Sequence, residues 1–274
     1  CAGSGPRGQA TRAFETGPTL VTMTIMGRVA AALRRPRVRV VRAVELAQPG
    51  QLLAGQTVLV TGAGRNIGRA TALACAEQGA QVVALDVDAK AAQTTATMTG
   101  GVAVVADITD TTAVSAIVER LPAIDVLVNN VGIAGAPWVR NLEPDTWRTT
   151  FETNVIGPLW LTRLCVDGMR ERGRGNVVFV SSIHQWVPRG DAAYALSKAM
   201  VGSIVKELAL ELAPHGIRVN GVAPGTTVAD EDGAPRVDAR PTLHGSSVPP
   251  QYVGRAVVFL ASDFFSLHTT GSTV

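Results

Sequence analysis

The chain has 274 residues, 46% hydrophobic and 17% charged, a composition typical of a globular protein with a buried core. No run approaches about 18 apolar residues and no N-terminal apolar segment precedes a cleavage site, so we expect a cytoplasmic protein without a membrane span. The three cysteines lack CxxC spacing and the four histidines lack HExxH pairing, which disfavours disulfides and a bound metal.

Residues 1–54 are predicted to form an arginine-rich extension. They contain eight arginines against two glutamates, a net charge of +6, so the rest of the chain carries about −3. Such a segment is compatible with an organelle transit peptide, an arm that binds anionic surfaces or nucleic acid, or a poorly ordered extension with Met23 or Met26 as candidate initiators. The basic run has no aromatic residues to stack on bases, so we favour the last interpretation and expect no nucleic-acid partner.

From residue 56 onward, short β-branched runs alternate with alanine-rich helical stretches, which predicts βαβ units around a parallel sheet. The predicted strands are 57–61, 81–86, 101–106, 125–129, 176–182 and 218–222. The predicted helices are 68–78, 112–120, 144–172, 192–213 and 250–261. The strands are nearly continuous apolar runs, as expected where helices cover both faces of the sheet. Residues 55–274 are therefore predicted to form one doubly wound α/β domain with its ligand site at the carboxyl ends of the strands.

Residues 226–249 interrupt this alternation. They are polar and rich in glycine and proline, and the segment is too long for a tight connection. We expect either a loop that covers the ligand site or a disordered surface loop.

The first strand leads into Thr61-Gly62-Ala63-Gly64-Arg65-Asn66-Ile67-Gly68 and then a helix. A glycine turn of this kind lets backbone amides approach a pyrophosphate at a helix N-terminus, and the missing Gly-Lys-Ser/Thr excludes a Walker A loop. Asp86 ends the next strand, where a carboxylate can accept hydrogen bonds from an adenosine ribose and repel a 2′-phosphate, which favours NAD over NADP. The alternative is that Asp86 is only a strand-end cap or turn residue.

Tyr194 and Lys198 lie four residues apart on a predicted helix, and thus on one face of it. A neighbouring ammonium favours the phenolate form of a phenol, whose ordinary pKa is about 10. Such a pair can exchange a proton with an alcohol or a carbonyl. Taken alone, however, the spacing is also typical of a solvated helix edge.

Five motifs follow one another along the chain: the glycine turn, Asn129-Asn130-Val131-Gly132, the pair Ser181-Ser182, Tyr194-Ala-Leu-Ser-Lys198 and Pro224-Gly225. Together they resemble the short-chain dehydrogenase/reductase family. The resemblance covers residues 56–274. It implies a Rossmann-type fold, homo-oligomers, and a nicotinamide-dependent oxidoreductase that interconverts a secondary alcohol and a ketone.

The resemblance also implies roles for individual residues. Tyr194 would be the general acid/base, and Lys198 would lower its pKa and bind the nicotinamide ribose. Ser182 would contact the substrate oxygen, and Asn154 would hold a water that connects the lysine to solvent. The residues expected to contact the cofactor are Gly62, Arg65, Asn66, Ile67, Gly68, Asp86, Asp107, Asn130, Gly132, Tyr194, Lys198, Pro224, Gly225 and Thr227.

Two departures from the family pattern concern the site itself. Asn66 replaces the middle glycine of the turn, and asparagine tolerates positive φ better than most residues. The family's serine usually lies 13 residues before its tyrosine, the position of Ser181, whereas Ser182 lies 12 before Tyr194. We choose Ser182 because the second serine of such a pair normally has this role, and because a one-residue deletion fits the turn at 188–191. Alternation along a strand allows only one of the two to face the cleft.

Two further departures concern the later part of the chain. Ala229 stands where the family often has a threonine, so Thr226 and Thr227 are the substitutes. Family members continue from a Thr-Gly turn into a last edge strand, and a sequence that stops after 271–274 is expected to have this strand truncated. Such a truncation would weaken oligomer contacts.

The substrate stays open among a sugar, a polyol, a hydroxy acid and a 3-oxoacyl thioester. Trp138, His184, Gln185, Trp186 and the loop 226–249 are expected to line or cover the pocket. Our main hypothesis is an NAD(H)-dependent oxidoreductase of a small-molecule alcohol or ketone. The alternatives are a dinucleotide-binding or regulatory module without catalysis, and nucleic-acid binding through the basic extension.

Overall fold

The structure is a computed structural model that describes residues 50–135, 143–187, 190–227 and 247–274. The basic extension up to residue 49, Trp138, Ala229 and most of the loop 226–249 lie outside these ranges. The predictions made for them therefore stay predictions.

The described residues form one six-stranded parallel sheet. Its strands are β1 (Thr57–Thr61), β2 (Gln81–Asp86), β3 (Val102–Val105), β4 (Val126–Asn129), β5 (Gly175–Val180) and β6 (Ile217–Val222). Their order across the sheet is β3-β2-β1-β4-β5-β6, so the direction of winding reverses between β1 and β4. The predicted doubly wound fold is confirmed, and a crevice opens at the carboxyl ends of the strands beside this reversal.

The last residues of the chain extend the sheet beyond β6. The Gly221 amide donates to the Ser272 carbonyl at 2.8 Å and the Ala223 amide to the Val274 carbonyl at 2.7 Å. Thr273 forms a parallel bridge with Gly221. Residues 272–274 thus run along the edge where the resemblance places a final strand.

Helices cover both faces of the sheet. They are α1 (Asn66–Glu77), α2 (Ala89–Thr99), α3 (Thr111–Val118), α4 (Pro144–Phe151), α5 (Gly157–Arg172), α6 (Ala192–Leu212), α7 (Pro250–Ala261) and α8 (Asp263–Ser266). Helix α2 and the short α8 were not predicted from the sequence. The predicted helix over 144–172 is in fact α4 and α5 joined by a π turn at Glu152–Ile156.

Two hydrophobic cores lie on opposite faces of the sheet. Leu59 of β1 packs into the core that contains Phe179 and Leu161, whereas its neighbours Val58 and Val60 pack into the other. This alternation explains why the strands are apolar at nearly every position. The two cores fix the strand ends, and therefore the crevice, between rigid layers.

Cys75 and Cys165 are free thiols in these cores. Burial raises the pKa of each thiol to about 12, so neither is a reactive thiolate at neutral pH. Within the described residues, no helix is long and apolar enough to cross a membrane.

Candidate active site

A cleft of about 830 Å³ lies at the carboxyl ends of the strands. All the residues predicted to contact a cofactor line it, and Ser182 lines it as well. They are Gly62, Arg65, Asn66, Ile67, Gly68, Asp86, Asp107, Asn130, Gly132, Tyr194, Lys198, Pro224, Gly225 and Thr227. The fold therefore brings these residues around a single space.

The glycine turn opens this cleft on the side of β1. Asn66 has a φ of 46°, a left-handed conformation that asparagine tolerates. A Cβ on Gly68 would lie 1.9 Å from the Gly62 carbonyl oxygen, so the helix can start this close to the turn only with glycine there. Arg65 is the N-cap residue of α1, and its side chain makes no capping hydrogen bond. This uncapped end faces the cleft and suits a phosphate group.

Asp86 is 6% exposed at the end of β2. One carboxylate oxygen accepts a hydrogen bond from the Gly64 amide at 2.8 Å, and the other accepts one from the Asp88 amide at 3.0 Å. These contacts are the ones expected if Asp86 is a strand-end cap or turn residue. It also lines the cleft, and its oxygens retain acceptor capacity for a hydroxyl.

The ends of β1 and β4 are tied together at the crevice. Thr61 Oγ1 accepts hydrogen bonds from the amides of Asn130 and Val131 at 3.0 and 3.1 Å. The Asn130 side chain donates in return to the Thr61 carbonyl at 2.8 Å. These bonds hold the floor of the cleft where the sheet reverses its direction of winding.

Lys198 is 3% exposed, and its ammonium donates to the Val180 carbonyl at 2.9 Å. Burial lowers the pKa of Lys198 to about 8, because desolvation disfavours the charged form. Its Nζ lies 5.6 Å from the ring centroid of Tyr194. A Cβ at Gly132 would lie 3.1 Å from this Nζ, so glycine leaves room for the lysine.

Tyr194 is half-buried beside Lys198. Burial raises the pKa of Tyr194, a side-chain hydrogen bond with Ser182 lowers it, and the Asp191 carboxylate raises it. Together these effects raise the pKa of Tyr194 above its ordinary value. The His184 ring meets the Tyr194 ring nearly at right angles, with centroids 5.3 Å apart.

The two serines after β5 point in different directions. Ser181 Oγ donates to the Lys198 carbonyl at 3.0 Å and thus faces α6. Both serines line the cleft, but Ser182 Oγ accepts a hydrogen bond from the His184 amide at 3.2 Å and Ser182 is hydrogen-bonded to the Tyr194 side chain. This difference in side-chain partners favours Ser182 over Ser181 as the serine that faces a substrate.

Asn154 does not line the cleft but lies directly behind it, 1% exposed in the π turn. Its Oδ1 accepts from the Ile133 amide at 2.8 Å, and its Nδ2 donates to the Ile133 carbonyl and to Ser197 Oγ, both at 2.9 Å. Ser197 Oγ donates in turn to the Tyr194 carbonyl at 2.7 Å. Asn154 thus connects the loop after β4 to the helix that carries the phenol and the ammonium.

Asp191 also lines the cleft, although it was not among the predicted site residues. This residue is the N-cap of α6 and accepts a hydrogen bond from the Tyr194 amide at 3.0 Å. Its other carboxylate oxygen accepts one from the Gly135 amide at 3.2 Å. An aspartate just before a predicted helix is a strong N-cap signal, and it was available in the sequence.

The expected substrate pocket is only partly formed by the residues proposed for it. His184, Thr226 and Thr227 line the cleft, but Gln185 and Trp186 do not. Gln185 Oε1 lies against Gly202 of α6, at 2.1 Å from where a Cβ would be, and Trp186 is 63% exposed. In the described ranges, no three His, Cys, Asp or Glu side chains lie together as possible metal ligands.

Comparisons with known proteins agree with this geometry. The family model for short chain dehydrogenases matches residues 56–236. The chain is 33% identical over 243 residues to 2-keto-3-deoxy-L-fuconate dehydrogenase of Xanthomonas campestris, a match that covers 82% of this chain and 80% of that protein. It is 32% identical over 233 residues to the 3-oxoacyl-(acyl-carrier-protein) reductase of Escherichia coli, with 80% and 95% covered.

A solved structure is similar over the same region. The crystal structure of a short-chain type dehydrogenase/reductase from Mycobacterium marinum matches with a TM-score of 0.74 at 29% identity, covering 81% of this chain and 93% of that one. The ordered motifs, the sheet and these relatives lead to one conclusion. The chain belongs to the short-chain dehydrogenase/reductase family, whose members are oxidoreductases that use nicotinamide dinucleotides.

Proposed function

We propose that this protein is an NAD(H)-dependent oxidoreductase that interconverts a secondary alcohol and a ketone, with Tyr194 as its acid/base. One observation carries the proposal: a half-buried phenol, hydrogen-bonded to Ser182, lies beside a buried ammonium in the same cleft as the glycine turn. The Tyr194 phenol and the Ser182 hydroxyl can then both hydrogen-bond to the same substrate oxygen.

The cleft fits a dinucleotide along its length. The uncapped end of α1, at Asn66 and Ile67, would hold the pyrophosphate, and Asp86 would hold the adenosine ribose. Lys198, with Gly132 beside it, would hold the nicotinamide ribose. Bound there, the nicotinamide supplies the hydride acceptor for oxidation and the hydride donor for reduction.

Side chains of the protein would transfer the proton to or from the substrate oxygen. In the direction of reduction, Tyr194 donates its proton to the carbonyl oxygen while Ser182 donates a hydrogen bond to the same oxygen. In the direction of oxidation, Tyr194 accepts the proton of the alcohol. Burial and Asp191 raise the pKa of Tyr194, so the protonated phenol prevails at neutral pH unless positive charge offsets them. Lys198, with a pKa of about 8, supplies such a charge at neutral pH.

The preference for NAD rests on Asp86. Its carboxylate is nearly buried at the end of β2, where a 2′-phosphate would meet a negative charge. Arg65 opposes this preference, because it is exposed at the same end of the cleft and is the side chain best suited to bind a phosphate. We give Asp86 the greater weight because it is held in place by two backbone amides.

The substrate class is left to experiment. The two curated relatives named above are nearly equal in identity, yet one name specifies a sugar acid and the other an acyl thioester. His184 at the substrate end of the cleft supports a polar substrate. We propose a sugar, polyol or hydroxy acid first, with 3-oxoacyl thioesters as the comparison.

The proposal also covers the chain as a whole. We propose a cytoplasmic, homo-oligomeric enzyme in which residues 55–274 form the catalytic domain and residues 1–54 an extension that binds no nucleic acid. Exposed apolar side chains on α5 and α6, among them Trp160, Leu196 and Met200, support association between copies.

The decisive experiment compares two tyrosine variants over a panel of sugars, polyols, hydroxy acids and 3-oxoacyl thioesters with both cofactors. Tyr194→Phe should abolish turnover while NADH still binds, as followed by fluorescence titration. Tyr252→Phe is the matched control, because Tyr252 is 59% exposed on α7 and does not line the cleft. Turnover by Tyr194→Phe at the rate of the control would sink the proposal.

A second pair of variants tests the choice between the adjacent serines. Ser182→Ala should lower kcat by about 10²-fold or more, because it removes a donor to the charge that develops on the substrate oxygen. Ser181→Ala should affect stability more than turnover, since the Ser181 hydroxyl donates to the main-chain carbonyl of Lys198. A larger loss of kcat in Ser181→Ala would reassign the role.

A further inference from the structure

The polar backbone groups of Ala63 and Gly64, in the middle of the glycine turn, all have partners on neighbouring elements. The two amides donate to β2, from Ala63 to the Leu85 carbonyl at 3.0 Å and from Gly64 to Asp86 at 2.8 Å. The two carbonyls accept hydrogen bonds from side chains of α1 and α2. The turn is therefore fixed from outside as well as by its own glycines.

Two side chains hold the carbonyls. Thr95 of α2 donates from Oγ1 to the Ala63 carbonyl at 2.9 Å. Arg69 of α1 donates from Nη2 to the Gly64 carbonyl and from Nε to Thr95 Oγ1, the latter at 3.2 Å. Thr95 is fully buried, and neither it nor Arg69 lines the cleft. Both donors thus contact the turn from outside the cleft.

We propose that Arg69 and Thr95 form a brace that positions the glycine turn for the dinucleotide. A carbonyl oxygen carries a partial negative charge, and one that turned toward the pyrophosphate would repel it. By binding both carbonyls outside the cleft, the brace leaves the amide end of α1 directed at the phosphates. The two residues are positioning residues, because they act on the cofactor through the turn. The inference rests on the proposed function only in taking a dinucleotide as the ligand.

The brace uses the forked geometry of a guanidinium. Arg69 reaches Thr95 and the Gly64 carbonyl with two different nitrogens of one guanidinium, and a lysine has only a single ammonium at this position. Arg69→Lys keeps the positive charge but removes the fork. A comparison of Arg69→Lys with Arg69→Gln therefore separates positioning from simple attraction between the charge and the phosphates.

The chain offers a matched control for Thr95. Thr162 of α5 is 2% exposed, donates from Oγ1 to the Pro158 carbonyl at 2.7 Å and accepts from Asn129 Nδ2 at 2.8 Å. It has the same bonding pattern as Thr95 but does not line the cleft or contact the turn. Thr162→Val should cost the fold a similar amount of stability without changing affinity for the cofactor.

The experiment is an NADH titration by fluorescence on the full chain, with thermal unfolding of every variant. Thr95→Val should raise the dissociation constant for NADH about three- to tenfold, the effect of one hydrogen bond, whereas Thr95→Ser should stay within about twofold of the wild type. Both Arg69 variants should raise it about tenfold. In the enzyme assay, KM for the dinucleotide should rise while kcat stays nearly constant.

Several results would overturn the inference. Unchanged NADH affinity in Thr95→Val and Arg69→Gln would do so, as would an equal loss of affinity in Thr162→Val. Arg69→Gln, whose side chain is only half-buried, keeps the test valid if Thr95→Val does not fold. A wild type that binds NADH but oxidises no alcohol refutes the proposed function alone, because the brace is measured by binding.

Discussion

The carboxylate of Asp191 accepts a hydrogen bond from the main-chain amide of Tyr194, 3.0 Å away, at the start of the helix that carries the phenol. The same carboxylate accepts a second hydrogen bond from the Gly135 amide. As an N-cap it stabilises α6, yet its charge raises the pKa of Tyr194. Asp191 therefore holds the phenol in place and at the same time opposes its ionisation.

Asp191→Asn separates these two effects, because asparagine is also a good N-cap but carries no charge. We expect the pKa of Tyr194 to fall, since a like charge that opposes the phenolate is removed. Lys198 and His184, the other titratable groups that lie beside the phenol in the described part of the chain, are unchanged in this variant. The acidic limb of kcat/KM for alcohol oxidation should then move to lower pH. A shift to higher pH would contradict the assignment.

The same shift can be measured without a substrate. The chain has only two tyrosines, so Tyr252→Phe leaves Tyr194 as the sole phenol. Ultraviolet difference titration in that background should show phenolate formation at a lower pH in Asp191→Asn than in its parent. Asp191→Ala, which loses the cap as well, should cost about 1 kcal/mol of stability in addition.

Burial of Lys198 gives stability a defined dependence on pH. Its pKa falls from 10.5 in the unfolded chain to about 8 in the fold, because burying the charged ammonium destabilises the folded state. This loss of folding stability is fully present below pH 8 and disappears as the pH rises toward 10.5. The loss is about 3 kcal/mol at most, at about 1.36 kcal/mol for each pH unit. Lys198→Met should therefore have its greatest stability relative to wild type below pH 8. Urea unfolding at pH 7 and pH 10 checks this, and a difference independent of pH would refute it.

Ser197 is predicted to support the catalytic helix through Asn154. Ser197→Ala removes the acceptor of Asn154 Nδ2 and should cost about 1 kcal/mol in urea unfolding. Because Tyr194 lies on the same turn, kcat should fall while affinity for NADH is retained. Ser203→Ala is the control, since Ser203 is exposed on the same helix and should change stability by less than about 0.5 kcal/mol. Equal effects in the two variants would exclude the network.

The fold was predictable from the sequence because its strands are nearly continuous apolar runs. Helix α2, in contrast, was not predictable. The buried face of α2 consists of Ala92, Thr95 and Ala96, which give no periodic signal of large apolar residues. The short side chains suit a helix that packs closely on the glycine turn, where Thr95 donates to Ala63. The short side chains on the buried face of α2 therefore explain why neither the helix nor the role of Thr95 was predicted.

The π turn between α4 and α5 was missed for a different reason. Pro158 lacks the N–H that an α-helix would direct to the carbonyl of Asn154, four residues earlier. The proline is visible in the sequence, but a proline in a helix is compatible with a kink, a break or a π turn. In this protein a π turn forms, and within it Asn154 contacts Ile133 and Ser197, which are distant in sequence. Its expected role through a water stays a prediction.

The preference for NAD can be tested at Asp86 without removing its support of the turn. Asp86→Asn keeps an oxygen that can accept from the Gly64 amide but removes the charge that would repel a 2′-phosphate. We expect the ratio of kcat/KM with NAD to that with NADP to fall at least about tenfold, mainly through a gain with NADP. Arg65→Gln should raise the same ratio, because it removes an exposed cation that lines the same cleft. Equal use of NAD and NADP by the wild type would refute the role of Asp86 as discriminator.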